Sequence, residues 1–212
     1  MDPNLEPVYQ AILTGARDQA AEATQSAVDA GLEASVILNQ GLIAAMTEVG
    51  RLFENNEYFV PEMLISARAM QAALGIIRPL LVDADVKPVG KMVVGTVQGD
   101  LHDIGKNLVA MMVEGAGFEI IDLGTDVEPD SFVEAVRDSK AELVGLSALL
   151  TTTLPMMEKT IQALTEAGLR DEVKVMIGGA PATPDLAEKI GADAFAADAS
   201  QAATLARKLV VN

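Results

Sequence analysis

The spacing of hydrophobic and polar positions changes near residue 88. Before it, apolar residues recur every three or four positions, the repeat of one helix face. The third such segment is the clearest. In it Leu38, Leu42, Ala45, Met46, Val49 and Phe53 share one side. The pattern predicts helices over residues 5–13, ending at Gly15, and over 17–30, stopped by Gly31, which suits a left-handed C-cap. A third is predicted over 35–53, broken by Asn55-Asn56. A fourth starts near Pro61, carries Met63, Leu64, Ala67, Met70, Leu74 and Ile77, and ends before Pro79. Short connections predict an antiparallel four-helix bundle.

Residues 84–90 hold Pro88 and Gly90 and show no period, so they read as a linker. Beyond them, short β-branched runs alternate with amphipathic stretches. Strands are predicted over 92–97, 119–123, 143–147, 173–177 and 194–196. Helices are predicted over 105–115, 129–138, 154–167, 183–190 and 199–210. This alternation predicts an α/β unit with a doubly wound, five-stranded parallel sheet, Rossmann-like and of the flavodoxin type. Near-continuous apolar strands agree, because such strands are covered on both faces. Two domains follow, a helical one over 1–88 and an α/β one over 89–212. Open parallel sheets bind ligands beyond the carboxyl ends of their strands. Attention therefore falls on residues 98–105, 147–153, 178–181 and 197–200.

Composition narrows the chemistry. Half of the 212 residues are apolar and only 3% aromatic, so the cores must be aliphatic. The net charge of -16 repels phosphate backbones and anionic membrane surfaces. Neither nucleic acid nor a membrane is an expected partner. No cysteine is present, which excludes disulfides and thiolate metal sites in this chain. The amino terminus lacks an apolar signal region, and no apolar run approaches a bilayer span, so a soluble cytoplasmic protein is expected.

His102 is the sole histidine. It lies in Gly99-Asp100-Leu101-His102-Asp103-Ile104-Gly105, between the first predicted strand and the next helix. Asp100, two residues away, is the kind of carboxylate that fixes the tautomer of a ligating imidazole. One histidine without cysteine cannot build an ordinary zinc site. A single protein ligand suits a cofactor that supplies the other donors, such as a haem or a corrinoid. A general acid–base role for His102 with Asp100 also stays open on these residues alone.

The pattern Asp-x-His-x-x-Gly, Ser-x-Leu and Gly-Gly resembles the signature of cobalamin-binding domains that hold the cofactor base-off and His-on. Here it comprises Asp100, His102 and Gly105. Then 41 residues (106–146) precede Ser147-Ala148-Leu149, and 28 more (150–177) precede Gly178-Gly179. Asn39-Gln40-Gly41-Leu42, Met46, Val49-Gly50, Leu52-Phe53 and residues 58–64 resemble the helical cap of methionine synthase and of small methyltransferase corrinoid proteins. The resemblance covers nearly the whole chain. It is nearest to stand-alone corrinoid proteins of methylamine, methanol and aryl methyl ether methyltransferases.

The resemblance implies a cobalamin or related corrinoid as cofactor, with His102 as lower axial ligand to cobalt. Asp100 would accept the other ring N–H, and Thr153 would bond that carboxylate. Ser147 would meet the displaced lower base. Gly99, Asp103, Ile104, Gly105, Leu149, Thr151 and Ala199 match cofactor-contacting positions. Gly178 and Gly179 would let the nucleotide tail approach the backbone. Phe59, Met63 and Met70 would lie over the upper cobalt face, with bundle core as the competing role of each. The implied function is a methyl carrier cycling between cobalt(I) and methylcobalt(III). Its partners would be a substrate-specific methyltransferase and a second one passing methyl to tetrahydrofolate or a thiol. Residues 84–90 would serve as a hinge for the cap. The alternative is a cobalamin-binding sensor without chemistry of its own.

Overall fold

The structure, a computed structural model, describes residues 2–211. The chain divides into two compact units. One is helical and runs to Pro88; the other takes in almost all of the chain from Val89 onward.

The helical unit contains α1 (Glu6–Leu13), α2 (Arg17–Asp29), α3 (Ala34–Val36), α4 (Ala44–Glu54) and α5 (Val60–Asp83). A π-helical stretch, Ile37–Ile43, joins α3 to α4. It changes the expected face. The single predicted helix puts Leu38 on the buried side, whereas Ile37 is the buried residue and Leu38 is half-buried. A wider turn displaces the apolar stripe by one position. Helix α4 stops as expected, with Asn56 in the left-handed region at φ 59°.

The expected end before Pro79 is wrong, because α5 continues through it to Asp83. Ile77 and Leu81, on either side of the proline, are both buried. Burial of that face outweighs the hydrogen bond that a proline cannot donate, a loss of about 3 kcal/mol. The helix then closes with Asp85 at φ 52°. The Asp85 N–H donates to Val82 O and the Val86 N–H to Leu81 O, the paired bonds of a Schellman cap. At 24 residues α5 is long and apolar enough to cross a bilayer by length and composition, which corrects the expectation that no run comes close. Among its buried residues Met63, Ser66, Met70, Ala73, Ile77 and Leu81 step by three and four, with Ala67 and Ala69 widening the stripe, as in a core helix.

The α/β unit alternates β1 (Lys91–Thr96), α6 (Ile104–Gly115), β2 (Glu119–Asp122), α7 (Pro129–Ser139), β3 (Leu143–Ser147), α8 (Leu154–Glu166), β4 (Lys174–Gly178), α9 (Pro184–Ile190), β5 (Ala194–Ala196) and α10 (Ala199–Val210). The strands form one sheet in the order β2-β1-β3-β4-β5, with every pairing parallel. Strand β1 starts and ends one residue before the predicted run, β4 one residue after it, and β2 ends one residue early. Val97 sits just past β1 in an isolated bridge with Val127.

Alternate strand residues face opposite sides. Val93, Val144, Leu146, Val175 and Ile177 pack with Phe132, Val136, Met157, Ile161 and Leu164 of α7 and α8 in one core. Helix α10 contacts β3 and β4. In this strand order the chain reverses direction between β1 and β3. The loops leaving those two strands diverge there and open a crevice.

Candidate functional site

Asp100 sits in that crevice, fully buried. Five donors converge on its carboxylate. The backbone N–H of His102 donates to Oδ1 at 3.1 Å, and His102 Nδ1 lies 2.6 Å from the same oxygen. Oδ2 receives the backbone N–H groups of Leu149 (2.7 Å) and Leu150 (3.0 Å) and the Thr153 hydroxyl (2.9 Å). One carboxylate therefore ties the loop after β1 to the loop after β3. Thr153 Oγ1 is also 2.9 Å from Leu150 O. A hydroxyl has one hydrogen, and the ionised carboxylate is the stronger acceptor of the two.

These bonds set the charge state. Burial raises the Asp100 pKa, but the bonds from the His102 ring and from the backbone N–H groups of Leu149, His102 and Leu150 outweigh it. The carboxyl is held well below the usual carboxylate range. An ionised Asp100 only accepts, so the proton between the two side chains resides on His102 Nδ1. In the neutral imidazole this tautomer leaves the lone pair on Nε2. The His102 side chain is 51% exposed, so the ring is open to the crevice while its Nδ1 is engaged by Asp100.

Four large apolar side chains close to these residues in the chain are exposed. Leu101 and Ile104 are 72% and 78% exposed, and Leu149 and Leu150 are 44% and 41% exposed. Among the described residues no cluster of three or more His, Cys, Asp or Glu side chains could hold a metal ion. A metal at His102 therefore needs a cofactor that brings its other donors and tolerates an apolar bed. The residues present fit a corrin macrocycle on both counts.

The other sequence-derived positions distribute as follows. Gly99 and Asp103 are exposed in the His102 loop, Gly105 is exposed in the first turn of α6, and Thr151 is exposed beside Thr153. Ser147, partly buried, ends β3 in register with Thr96 on one side and Gly178 on the other. Gly179 has φ 115°, and a Cβ there would lie 1.9 Å from Ala148 O. Glycine is thus required at 179 by the neighbouring backbone itself. Ala199 is buried at the start of α10. In the helical unit Phe59 is 60% exposed at the N-cap of α5, while Met63 and Met70 are buried. The Phe59 N–H donates to Glu62 Oε2 at 2.9 Å. The hydroxyls of Tyr58 and Ser66 donate to Leu13 O, which ties residues 58–66 to the end of α1.

Several contributors escape a sequence reading. Leu150 acts through its backbone N–H, which carries no residue signature. Thr96, buried at the end of β1, donates to His102 O at 2.8 Å. Lys106, also buried, pairs with Asp122 at 2.5 Å and donates to Asn107 Oδ1 at 2.6 Å, fixing the first turn of α6 to the end of β2. A lysine in a helical run reads as surface, so only packing shows this role.

Fold and crevice together define a ligand-binding protein of the doubly wound class, shaped for a cofactor that supplies most of its own metal donors. Comparison with known proteins agrees. Residues 90–206 match one B12 binding domain family, and residues 5–78 match a second family with the same description. Dimethylamine corrinoid protein 1 of Methanosarcina acetivorans is 44% identical over 207 residues, covering 97% of each chain. A cobalamin-binding protein of Desulfitobacterium hafniense superposes with a TM-score of 0.80 at 34% identity, covering 97% of this chain and 98% of that one. A chain of the methanol:cobalamin methyltransferase complex of Methanosarcina barkeri gives 0.89 at 27% identity, covering 100% and 81%. The chain belongs to the B12-binding family of methyltransferase-associated corrinoid proteins, and its cofactor is a cobalamin or related corrinoid.

Proposed function

We propose that this protein is a cytoplasmic methyl carrier in which His102 Nε2 ligates the cobalt from below, with the cofactor's own base displaced. The observation that supports this reading most is the buried, ionised Asp100 holding Nδ1–H of a half-exposed imidazole at 2.6 Å. When bound, the corrinoid supplies a cobalt centre that accepts a methyl group from one protein and yields it to another.

The residues of the chain prepare that centre. Asp100 fixes the tautomer and raises the basicity of His102. The His102 ring and the backbone N–H groups of Leu149, His102 and Leu150 keep the carboxylate ionised, and the Thr153 hydroxyl adds a donor to Oδ2. Leu101, Ile104, Leu149 and Leu150 offer an apolar bed and exclude water beside the imidazole. Ser147 at the end of β3 would hold the displaced base, Gly178 and Gly179 would let the nucleotide tail approach the backbone, and Thr151 and Ala199 would contact the cofactor.

The carrier works between two methyltransferases. One takes methyl from a substrate and the other passes it to tetrahydrofolate or a thiol. Relatives named dimethylamine corrinoid proteins, at 41–44% identity over nearly the whole chain, support a methylamine as the first donor. The test is to load the protein with cobalamin and offer it methylamine- and methanol-specific methyltransferases with their substrates. Spectral conversion to the methylated cofactor with a methylamine system supports the reading. A loaded protein that binds cobalamin but accepts methyl from none of them refutes it.

A further inference from the structure

The His102 loop is held from two sides, and only one of them involves the Asp100 carboxylate. On the other side stands Asp126, in the connection between β2 and α7. Resting on the ligand reading above, we propose that Asp126 is a positioning residue: it sets the Gly99–Asp100 backbone, and through it the orientation of Asp100 and His102.

Two bonds in opposite directions carry this. The Gly99 N–H donates to Asp126 Oδ1 at 2.7 Å, and the Asp126 N–H donates to Asp100 O at 2.9 Å. The residues around Asp126 extend the clamp along β1. The Thr96 N–H donates to Gly124 O at 2.9 Å, and the Val127 N–H to Thr96 O at 3.0 Å. Residues 124–127 thus run as an added rung beside Thr96–Asp100. The peptide that begins the Asp-x-His element is gripped on both of its ends.

The backbone of Asp126 is unusual. Among the described residues, four non-glycine residues have positive φ: Asn56, Asp85, Asp126 and Lys140. Three of them follow the ends of α4, α5 and α7, where a left-handed residue closes a helix. Asp126, at φ 55°, closes none. Its conformation points the N–H and the carboxylate toward Gly99–Asp100 together. Aspartate and asparagine enter this region more readily than other side-chain-bearing residues, because a short polar side chain bonds locally. Strain of this kind next to a functional site fits a positioning role.

The experiment uses the full chain with Asp126→Gly, Asp126→Asn and, as reference, His102→Ala. Glycine adopts positive φ without strain and keeps the N–H bond to Asp100 O, but has no carboxylate. Asparagine keeps an acceptor oxygen and the left-handed preference. Three readouts are taken: thermal unfolding, hydrogen exchange of the Gly99 amide without cofactor, and cobalamin titration followed by absorption. For Asp126→Gly the expected result is an unfolding midpoint within a few degrees of wild type, because relief of the left-handed strain offsets much of the lost exposed bond, with faster Gly99 exchange. Cobalamin affinity falls about three- to tenfold, and the histidine-ligated share of the spectrum falls with it. Asp126→Asn restores both. Wild-type exchange and spectrum in Asp126→Gly overturn the proposal while His102→Ala still loses its signature. So does an Asp126→Gly midpoint that drops in step with affinity, the mark of a merely structural role. If His102→Ala keeps the wild-type spectrum, the ligand reading fails and the positioning role falls with it.

Discussion

Thr153 Oγ1 lies 2.9 Å from Asp100 Oδ2, the carboxylate oxygen that the His102 ring leaves free. The hydroxyl comes from the first residue before α8, 53 positions downstream, so β3 must pair with β1 before the two can meet. The site is therefore a product of the sheet rather than of a single loop. His102 owes its orientation to strand order.

Replacing that hydroxyl tests the network. Thr153→Val preserves the shape and removes the donor, leaving Oδ2 with backbone partners only. Charge-assisted bonds of this kind contribute about 1.5–3 kcal/mol. We expect a loss near the lower end in urea denaturation, together with weaker cobalamin retention. Thr153→Ser keeps the oxygen and stays within about 1 kcal/mol of wild type.

Asp100→Asn is the more severe change. Oδ1 accepts two donors and Oδ2 three, so an amide NH2 faces donors whichever way it is turned. The expected cost is about 2–4 kcal/mol at neutral pH. The pH dependence has a definite sign. The folded pKa of Asp100 lies below its ordinary value of 3.8, so at low pH the unfolded chain binds the proton first. The stabilisation is complete above about pH 5 and is lost as the pH falls through the lowered native value. The stability gap between wild type and Asp100→Asn should be constant from neutral pH to about pH 5 and narrow below that. A gap unchanged well into the acid range contradicts the assigned charge state.

Gly179 offers a test of the second loop. At φ 115° with Ala148 O where a Cβ would go, Gly179→Ala forces backbone movement. Strain and overpacking together cost on the order of 2–4 kcal/mol. Unfolding by heat or denaturant reads it directly, and a wild-type midpoint refutes the geometry.

Much of the α/β unit was legible because its elements follow simple periods. Strands at 143–147 and 194–196 and helix 199–210 fall where the apolar runs predict them. The order β2-β1-β3-β4-β5 is that of the flavodoxin type, one of the two common doubly wound orders. The helical unit was less legible. Pro79 reads locally as a stop, yet burial of Ile77 and Leu81 carries α5 past it. The π-helical stretch has no signature in a three-four pattern, so the buried face was misread by one residue at Leu38. Within the site, Asp100 and His102 stand two residues apart and invite pairing. Asp126, Lys106 and the N–H groups of Leu149 and Leu150 act through contacts that exist only after the strands have paired.

The central claim is that His102 supplies the lower ligand to cobalt, and the sole histidine makes it testable without ambiguity. The protein is grown with nitrogen-15 histidine, loaded with unlabelled cobalamin and reduced to the paramagnetic cobalt(II) state. Electron paramagnetic resonance then reads the axial nitrogen. The account predicts that each cobalt line is split into a doublet, the signature of nitrogen-15, in place of the triplet of the unlabelled protein. A triplet that persists in the labelled protein assigns the axial nitrogen to the cofactor's own base and contradicts the account.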